Sequence, residues 1–147
     1  MKEFDPKVHA GLLIKFLNNA IINEINRQLV KFNMTGAQHE ILVFIHRNGR
    51  NNDVFQKDIE KHFKLTNPTV TGIVKRLEEK GMIMRSPSSE DARYKCLHVT
   101  NKGEELLKCS FECGIKKVED KLLSNMTKEE EKQFKELLYK ALKNLEE

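Results

Sequence analysis

A mainly α-helical chain with one small β-hairpin is the fold this sequence predicts, on three observations. Apolar residues recur at helical spacing through most of the chain. Capping signatures of the Thr-x-x-Gln and Thr-x-x-Glu kind stand before two of those segments. Only ten of 147 residues are Gly or Pro, too few for a turn-rich β fold.

The first predicted helix runs from residue 7 to residue 32, with Leu12, Leu13, Phe16, Leu17, Ala20, Ile21, Ile25, Leu29 and Phe32 on one stripe. Ile14 and Ile22 lie off that stripe, and a helix apolar on more than one side serves two surfaces, its own core and a second subunit. Thr35-Gly36-Ala37-Gln38 reads as a capping box that opens a second helix through Ile41, Leu42 and Ile45. Gly49 is expected to end it as a C′ residue. After the polar loop Arg50-Asn51-Asn52-Asp53 a short helix is expected from Val54 to Phe63, capped by Asp53.

The segment from Leu65 to Gly81 is the most informative. Thr66 or Asn67 caps, Pro68 fits the first turn, and Gly81 stops the helix. Val70, Ile73, Val74 and Leu77 bury one side. The other side carries Pro68, Gly72, Lys75 and Glu79, flanked by Thr69, Thr71 and Arg76. A glycine inside a helix costs about 1 kcal/mol against alanine, so Gly72 suggests close approach of another surface to the backbone. The period then changes from helical to alternating. Met82 to Arg85 and Tyr94 to Val99 read as two strands joined by a Ser- and Pro-rich tip. Thr100 caps a long helix, expected from Asn101 to Leu123, with Leu107, Phe111, Ile115, Val118 and Leu122 on its stripe. Thr127 to Glu130 is a second capping box, before a last helix bearing Phe134, Leu137, Leu138, Ala141, Leu142 and Leu145.

Composition narrows the class. Hydrophobic residues make up 39% and charged residues 33%, the balance of a domain with a real core under a charged exterior. No apolar run approaches the ~18 residues a membrane helix needs. The opening MKEFDPKVHA has no basic region followed by an apolar stretch, and three Cys is an odd number. Both point to reduced thiols and a cytoplasmic location, without membrane contact. The formal charge is +4, and all of the excess sits in residues 61–100, where eight Lys/Arg face four acids. A local basic excess is the footprint of a polyanion partner.

Two short helices, a turn, a helix with a polar outer face and a hairpin describe a winged helix-turn-helix with N- and C-terminal dimerisation helices. Hydroxyl and amide side chains on the third helix suit base edges in a major groove, and Lys75 and Arg76 suit phosphate or guanine. Arg85, Arg93 and Lys95 stand near the wing tip, where Arg is drawn to the minor groove. The apolar stripes of the terminal helices exceed what a small middle domain covers, so they should meet a twofold mate. A plainer reading stays open. Lys75 and Arg76, three residues from Glu78 and Glu79, also suit an ordinary solvated face, and Asp91 with Arg93 also suits an ordinary surface ion pair.

Gln56-Lys57-Asp58-Ile59, Pro68-Thr69-Val70-Thr71, Arg76-Leu77-Glu78-Glu79-Lys80-Gly81-Met82-Ile83, Asp91-Ala92-Arg93 and Val99-Thr100-Asn101-Lys102-Gly103 together resemble the MarR family of bacterial transcriptional regulators. The resemblance covers about Met34 to Leu107. It implies a homodimer on a palindromic double-stranded DNA operator, usually a repressor, released by a small phenolic or lipophilic ligand or by thiol oxidation. It implies DNA contacts at Asn67, Thr69, Thr71, Lys75, Arg76 and Arg93, to which the wing-tip position adds Lys95, with Asp91 holding the wing loop in shape. Residues 1–147 would then form one such domain, with 35–100 the DNA-binding part and 7–32 with 101–147 the dimerisation part. Phe55 stands where the family places Thr or Ser, so the cap should come from Asp53 or Asn52. Glu60 and His62 replace small residues, Ala92 replaces a second basic residue, and the first helix has no reactive Cys.

Other constellations point less far. A family pocket between the first two helices and the long fifth would draw on Leu13, Phe16, Phe44 and Phe111, although aromatic residues at helix junctions also serve as plain core. Cys109 and Cys113 lie one turn apart and offer two thiols to a metal or an oxidant, yet a structural zinc site takes four ligands. No His-Glu-x-x-His pattern, phosphate loop or nucleophile–base spacing stands out, so neither an enzyme nor a bound cofactor or metal is expected. Two alternatives remain beside the regulator: a thiol- or metal-responsive protein using Cys109 and Cys113, and a winged-helix module that binds protein.

Overall fold

A computed structural model describes residues 4–146. Helix α1 spans Ala10–Leu29 and tightens into a 3₁₀ turn over Val30–Phe32. Asn33, in the left-handed conformation, then turns the chain. Helix α2 covers Gly36–Asn48. Its capping box forms as the sequence predicts: the Gln38 N–H donates to the Thr35 hydroxyl at 3.2 Å, and the Thr35 N–H donates to the Gln38 carboxamide at 3.3 Å. Gly49 ends α2 with φ −71°, so it is a right-handed last position and not the left-handed residue expected.

Helix α3 is Gln56–Phe63 and α4 is Asn67–Glu79. The predicted caps change here. Asp53 does not cap α3; the Phe55 N–H is taken by the Asp58 carboxylate at 2.8 Å. At α4 the residue in the cap position is Thr66, but its hydroxyl pairs with that of Thr69 at 2.9 Å and makes no bond to the helix backbone. The helix ends in a Schellman turn. With Gly81 at φ +72°, its N–H reaches the Glu78 carbonyl and the Met82 N–H reaches the Leu77 carbonyl, both at 2.9 Å. Leu77 and Met82, the pair such a turn brings together, are both buried.

Strand β1 (Ile83–Pro87) runs antiparallel to β2 (Lys95–Val99), with Ile83 opposite Val99 and Pro87 opposite Lys95. The first strand is therefore shifted toward the tip relative to the sequence expectation, and Tyr94 belongs to the loop. The Leu97 N–H also donates to the Val54 carbonyl at 2.7 Å, which seats the hairpin on the segment before α3. The expected single helix after Thr100 is three pieces: α5 (Asn101–Ser110), a π-helical turn (Phe111–Ile115) and α6 (Lys116–Leu123). A π turn carries one residue more per hydrogen bond and rotates everything beyond it. Val118 is accordingly buried, whereas Phe111, on the same predicted stripe, is 58% exposed. Gly114 in that turn faces α1, where a Cβ would stand 3.4 Å from the Cβ of Gln28.

The core is one cluster beneath α4, made from Leu29, Ile41, Leu42, Ile45, Ile59, Val70, Val74, Leu77 and Leu97. Burying each such side chain contributes about 1.5–3 kcal/mol. Helix α7 (Lys128–Glu146) lies outside this arrangement and buries no residue, with Leu145 87% exposed. Its capping box at Thr127 and Glu130 forms, with bonds of 2.8 and 3.2 Å, and Lys135 bridges Glu131 at 2.7 Å and Glu119 of α6 at 3.4 Å. Among the described residues no helix is long and apolar enough to cross a membrane.

A polar tie joins α2 to α5. The Ser110 hydroxyl donates to the Leu107 carbonyl at 3.1 Å, so its bond of 3.0 Å to His39 must be received from a proton on Nε2. Burial pushes the His39 imidazole below its ordinary range. The folded chain thus takes up this proton less readily than the unfolded one, whose His titrates near ~6.5. Stability from His39 is complete above that value and is lost as pH falls below it. Thermal melts from pH 7.5 downward should show a decline near ~6 that is smaller in His39→Gln. An equal decline in the variant would assign it to other histidines.

Gly103 and Gly114 differ in what they would tolerate. A Cβ on Gly103 would overlap the Met82 carbonyl oxygen and stand 2.6 Å from the Val99 side chain. Gly103→Ala should destabilise by about 1–3 kcal/mol in denaturant titration, the usual cost of overpacking. Gly114→Ala, at ordinary contact distance, should cost clearly less.

Candidate nucleic-acid interface

Helix α4 divides cleanly. Val70, Val74 and Leu77 are fully buried, so the opposite side is held outward. Thr69, Thr71, Lys75 and Arg76 are all exposed there. At Gly72, in their midst, a Cβ would meet nothing within 4 Å, so none of the described residues makes the close approach expected at that glycine.

Each predicted contact residue has a defined setting. Thr71 accepts a bond of 2.7 Å from the Gln56 carboxamide, which leaves the Thr71 hydroxyl proton free to donate outward. Asn67 donates to Glu60 at 2.6 Å, so Glu60, at a position where the family has a small residue, shapes the outer face of α3. Lys75 and Arg76 are open to solvent and, among the described residues, pair with neither Glu78 nor Glu79. Neither cation comes within salt-bridge distance of a carboxylate, and Glu78 pairs instead with Arg85 of β1. That pair ties the wing strand to the end of α4.

The wing loop is held from two sides. Asp91 accepts the Arg93 backbone N–H at 3.1 Å and the Arg93 guanidinium at 2.8–3.2 Å. The Arg93 side chain nevertheless remains 85% exposed. The guanidinium and backbone bonds hold the Asp91 carboxyl below its ordinary range, so this tie is present at neutral pH and is lost only as pH falls through the carboxylate range. At the other side, the Ser88 hydroxyl donates to Asp53 at 2.9 Å and the Ser88 N–H donates to the Tyr94 carbonyl at 2.9 Å. Sequence reasoning missed this role of Asp53, because the bond spans 35 residues. It missed Gln56 too, whose placement in the Gln-Lys-Asp-Ile motif was the one available signal. Lys95 is exposed at the wing end of β2.

The loose pocket candidates do not gather. Leu13, Phe16 and Phe111 are exposed, and Phe44 packs instead on His62 and Phe63, with ring centroids 4.7 and 5.6 Å away. Cys109 and Cys113 are exposed and Cys96 is buried, its thiol 3.2 Å from the His98 ring. Among the described residues no three His, Cys, Asp or Glu are placed to hold a metal ion.

A helix pair set over an apolar core, a polar outward helix and a hairpin tied back to both define a winged helix-turn-helix protein with helical flanks. Comparison with known proteins narrows this. The model of the MarR family matches residues 32–93. The HTH-type transcriptional regulator YwoH of Bacillus subtilis is 31% identical over 119 residues, which cover 80% of this chain and 82% of that protein. FarR of Neisseria gonorrhoeae is 31% identical over 100 residues, 67% of this chain and 66% of that protein. Among solved structures, MepR, a transcription regulator of the Staphylococcus aureus multidrug efflux pump MepA, superposes with a TM-score of 0.81 at 25% identity over 94% of this chain and 99% of that one. A complex of S. aureus MepR with DNA gives a TM-score of 0.74 at 25% identity over 96% and 99%. The chain belongs to the MarR family of transcriptional regulators.

The two aspartates before and within α3 separate by experiment. Asp58→Ala removes the helix cap and should cost about 1 kcal/mol in stability. Asp53→Ala should leave α3 capped but make the 87–93 loop more readily cut by protease. The reverse pattern would return the cap to Asp53.

Proposed function

We propose that this chain is a homodimeric repressor of transcription that reads an inverted-repeat DNA operator and is released by a small ligand. The observation that carries this reading is α4, with its apolar face locked in the core and its hydroxyls and unpaired cations turned outward around Gly72. A helix so mounted fits a major groove. Thr69, Thr71 and Asn67 address base edges, Lys75 and Arg76 address phosphate or guanine, and the bare backbone at Gly72 admits close contact. Arg93, presented by Asp91, and Lys95 extend the contact to the adjacent backbone or minor groove. The MepR–DNA complex supports DNA as the partner.

The exposed apolar faces of α1 and α7 support a second copy as the other partner. Leu12, Leu13, Ile14 and Phe16 on α1, and Leu137, Leu142 and Leu145 on α7, are open to solvent in one chain. Residues 35–100 are in this reading the DNA-binding part, and 7–32 with 101–147 the dimerisation part, of one domain. A regulator of this kind works in the cytoplasm, where the DNA is.

Sedimentation should give a dimer at micromolar concentration, with an interface of roughly 2,000 Å² or more. Leu142→Glu should weaken it. Selection of random duplex DNA should return inverted half-sites about 10 bp apart. Lys75→Ala and Arg93→Ala should each reduce affinity for that duplex by about 1–3 kcal/mol, while Arg93→Ala leaves melting almost unchanged because its ion pair is exposed. A monomer, or equal affinity for every duplex, would overturn the reading.

A further inference from the structure

Helices α3 and α4 are braced by a ladder of two side-chain bonds. Gln56 and Glu60 stand one turn apart on α3, and Asn67 and Thr71 stand one turn apart on α4. Gln56 donates to Thr71 at 2.7 Å, and Asn67 donates to Glu60 at 2.6 Å. Asn67 and Thr71 are exposed, whereas Gln56 and Glu60 are half-buried behind them.

The Glu60 rung has a forced polarity. An ionised carboxylate can only accept, so the Asn67 nitrogen turns to Glu60 and its oxygen cannot. Among the described residues the Asn67 side chain makes no other hydrogen bond. The carboxamide therefore keeps its oxygen and one N–H for a partner, an acceptor beside a donor. In a major groove that pattern matches the N6 and N7 edge of adenine. Glu60 also adds negative charge beside the face that meets DNA, which opposes binding to any duplex. Its contribution is to the choice of sequence and not to affinity.

We propose that Glu60 is a positioning residue that sets the base preference of Asn67 to adenine, while Gln56 commits Thr71 to donating at a second base. This assignment rests on the DNA-reading role of α4 proposed above and deepens it by naming what fixes the bases read. With its oxygen taken by Gln56, Thr71 gives its proton to a base acceptor such as guanine O6 or thymine O4. Glu60 stands where the family has a small residue, so this brace departs from the family pattern.

The test uses the full chain and the duplex selected from a random pool, with each half-site position changed in turn to the other three base pairs. The parent should prefer adenine at one position by roughly tenfold. Glu60→Gln is isosteric but donates as well as accepts, so Asn67 is no longer held one way round. This variant should melt like the parent, lose that preference severalfold, and bind an unrelated duplex more tightly because a negative charge is gone. Combining Glu60→Gln with Asn67→Asp rebuilds the rung with its donor on α3 and offers DNA only acceptors. Its preference should move to cytosine, whose N4 donates. Gln56→Ala should relax a different position and keep the adenine. A sequence-selective parent with no adenine position, an unchanged preference in Glu60→Gln, a double variant that keeps adenine, or Gln56→Ala relaxing the same position would each overturn the proposal. A parent that binds every duplex equally would instead overturn the regulator reading, and this assignment with it.

Discussion

Thr100 donates its hydroxyl to the Gly81 carbonyl at 2.5 Å, its N–H to the Met82 carbonyl at 3.0 Å, and accepts the Gly103 N–H at 3.1 Å. Four elements end or begin within these residues: α4, β1, β2 and α5. Gly103 allows α5 to lie against the Met82 carbonyl, where any side chain would collide. The orientation of the polar helix, the root of the wing and the departure of the long terminal helices are set at this one junction. Backbone groups that would otherwise be buried without partners are satisfied there, and leaving such a group unpaired costs about 1–3 kcal/mol.

Around that junction the polar ties follow a consistent logic. The side chain of Lys80, at the end of α4, reaches the Asn33 carbonyl and the Gln38 carboxamide, the latter at 2.9 Å. Gln38 is itself part of the capping box of α2. The end of the polar helix is therefore fastened to the turn that links α1 to α2. Arg85 fastens the wing to the same helix through Glu78, and Asp53 fastens the wing loop to the segment before α3. Each of these ties joins α4 or the wing to a part of the scaffold. Lys75 and Arg76 on the outer side of α4 meet no carboxylate among the described residues, and Glu78, three residues from Lys75, pairs with Arg85 of the wing instead.

Periodicity and capping chemistry were enough to place most helices, because both act within four residues along the chain. The boxes at Thr35 and Thr127, the apolar face of α4 and the stop at Gly81 all belong to that class. The Asp-x-Arg wing and the Thr-x-Lys-Gly start of α5 were legible for the same reason, and they carried the family resemblance. What local pattern could not determine were pairings across distance. Asp53 bonds Ser88 instead of capping α3, Glu78 selects Arg85 over Lys75 and Arg76, and Phe44 turns to His62 and Phe63 instead of joining Phe16 and Phe111. The π turn at Phe111–Ile115 belongs here as well, since the seat of Gly114 against α1 exists only once the two helices have met. By itself the sequence determined the elements and their polarity, because hydrogen bonding and burial within a helix are local. Which side chains hold those elements together, only the tertiary structure decided, because those partners become neighbours only when the core closes.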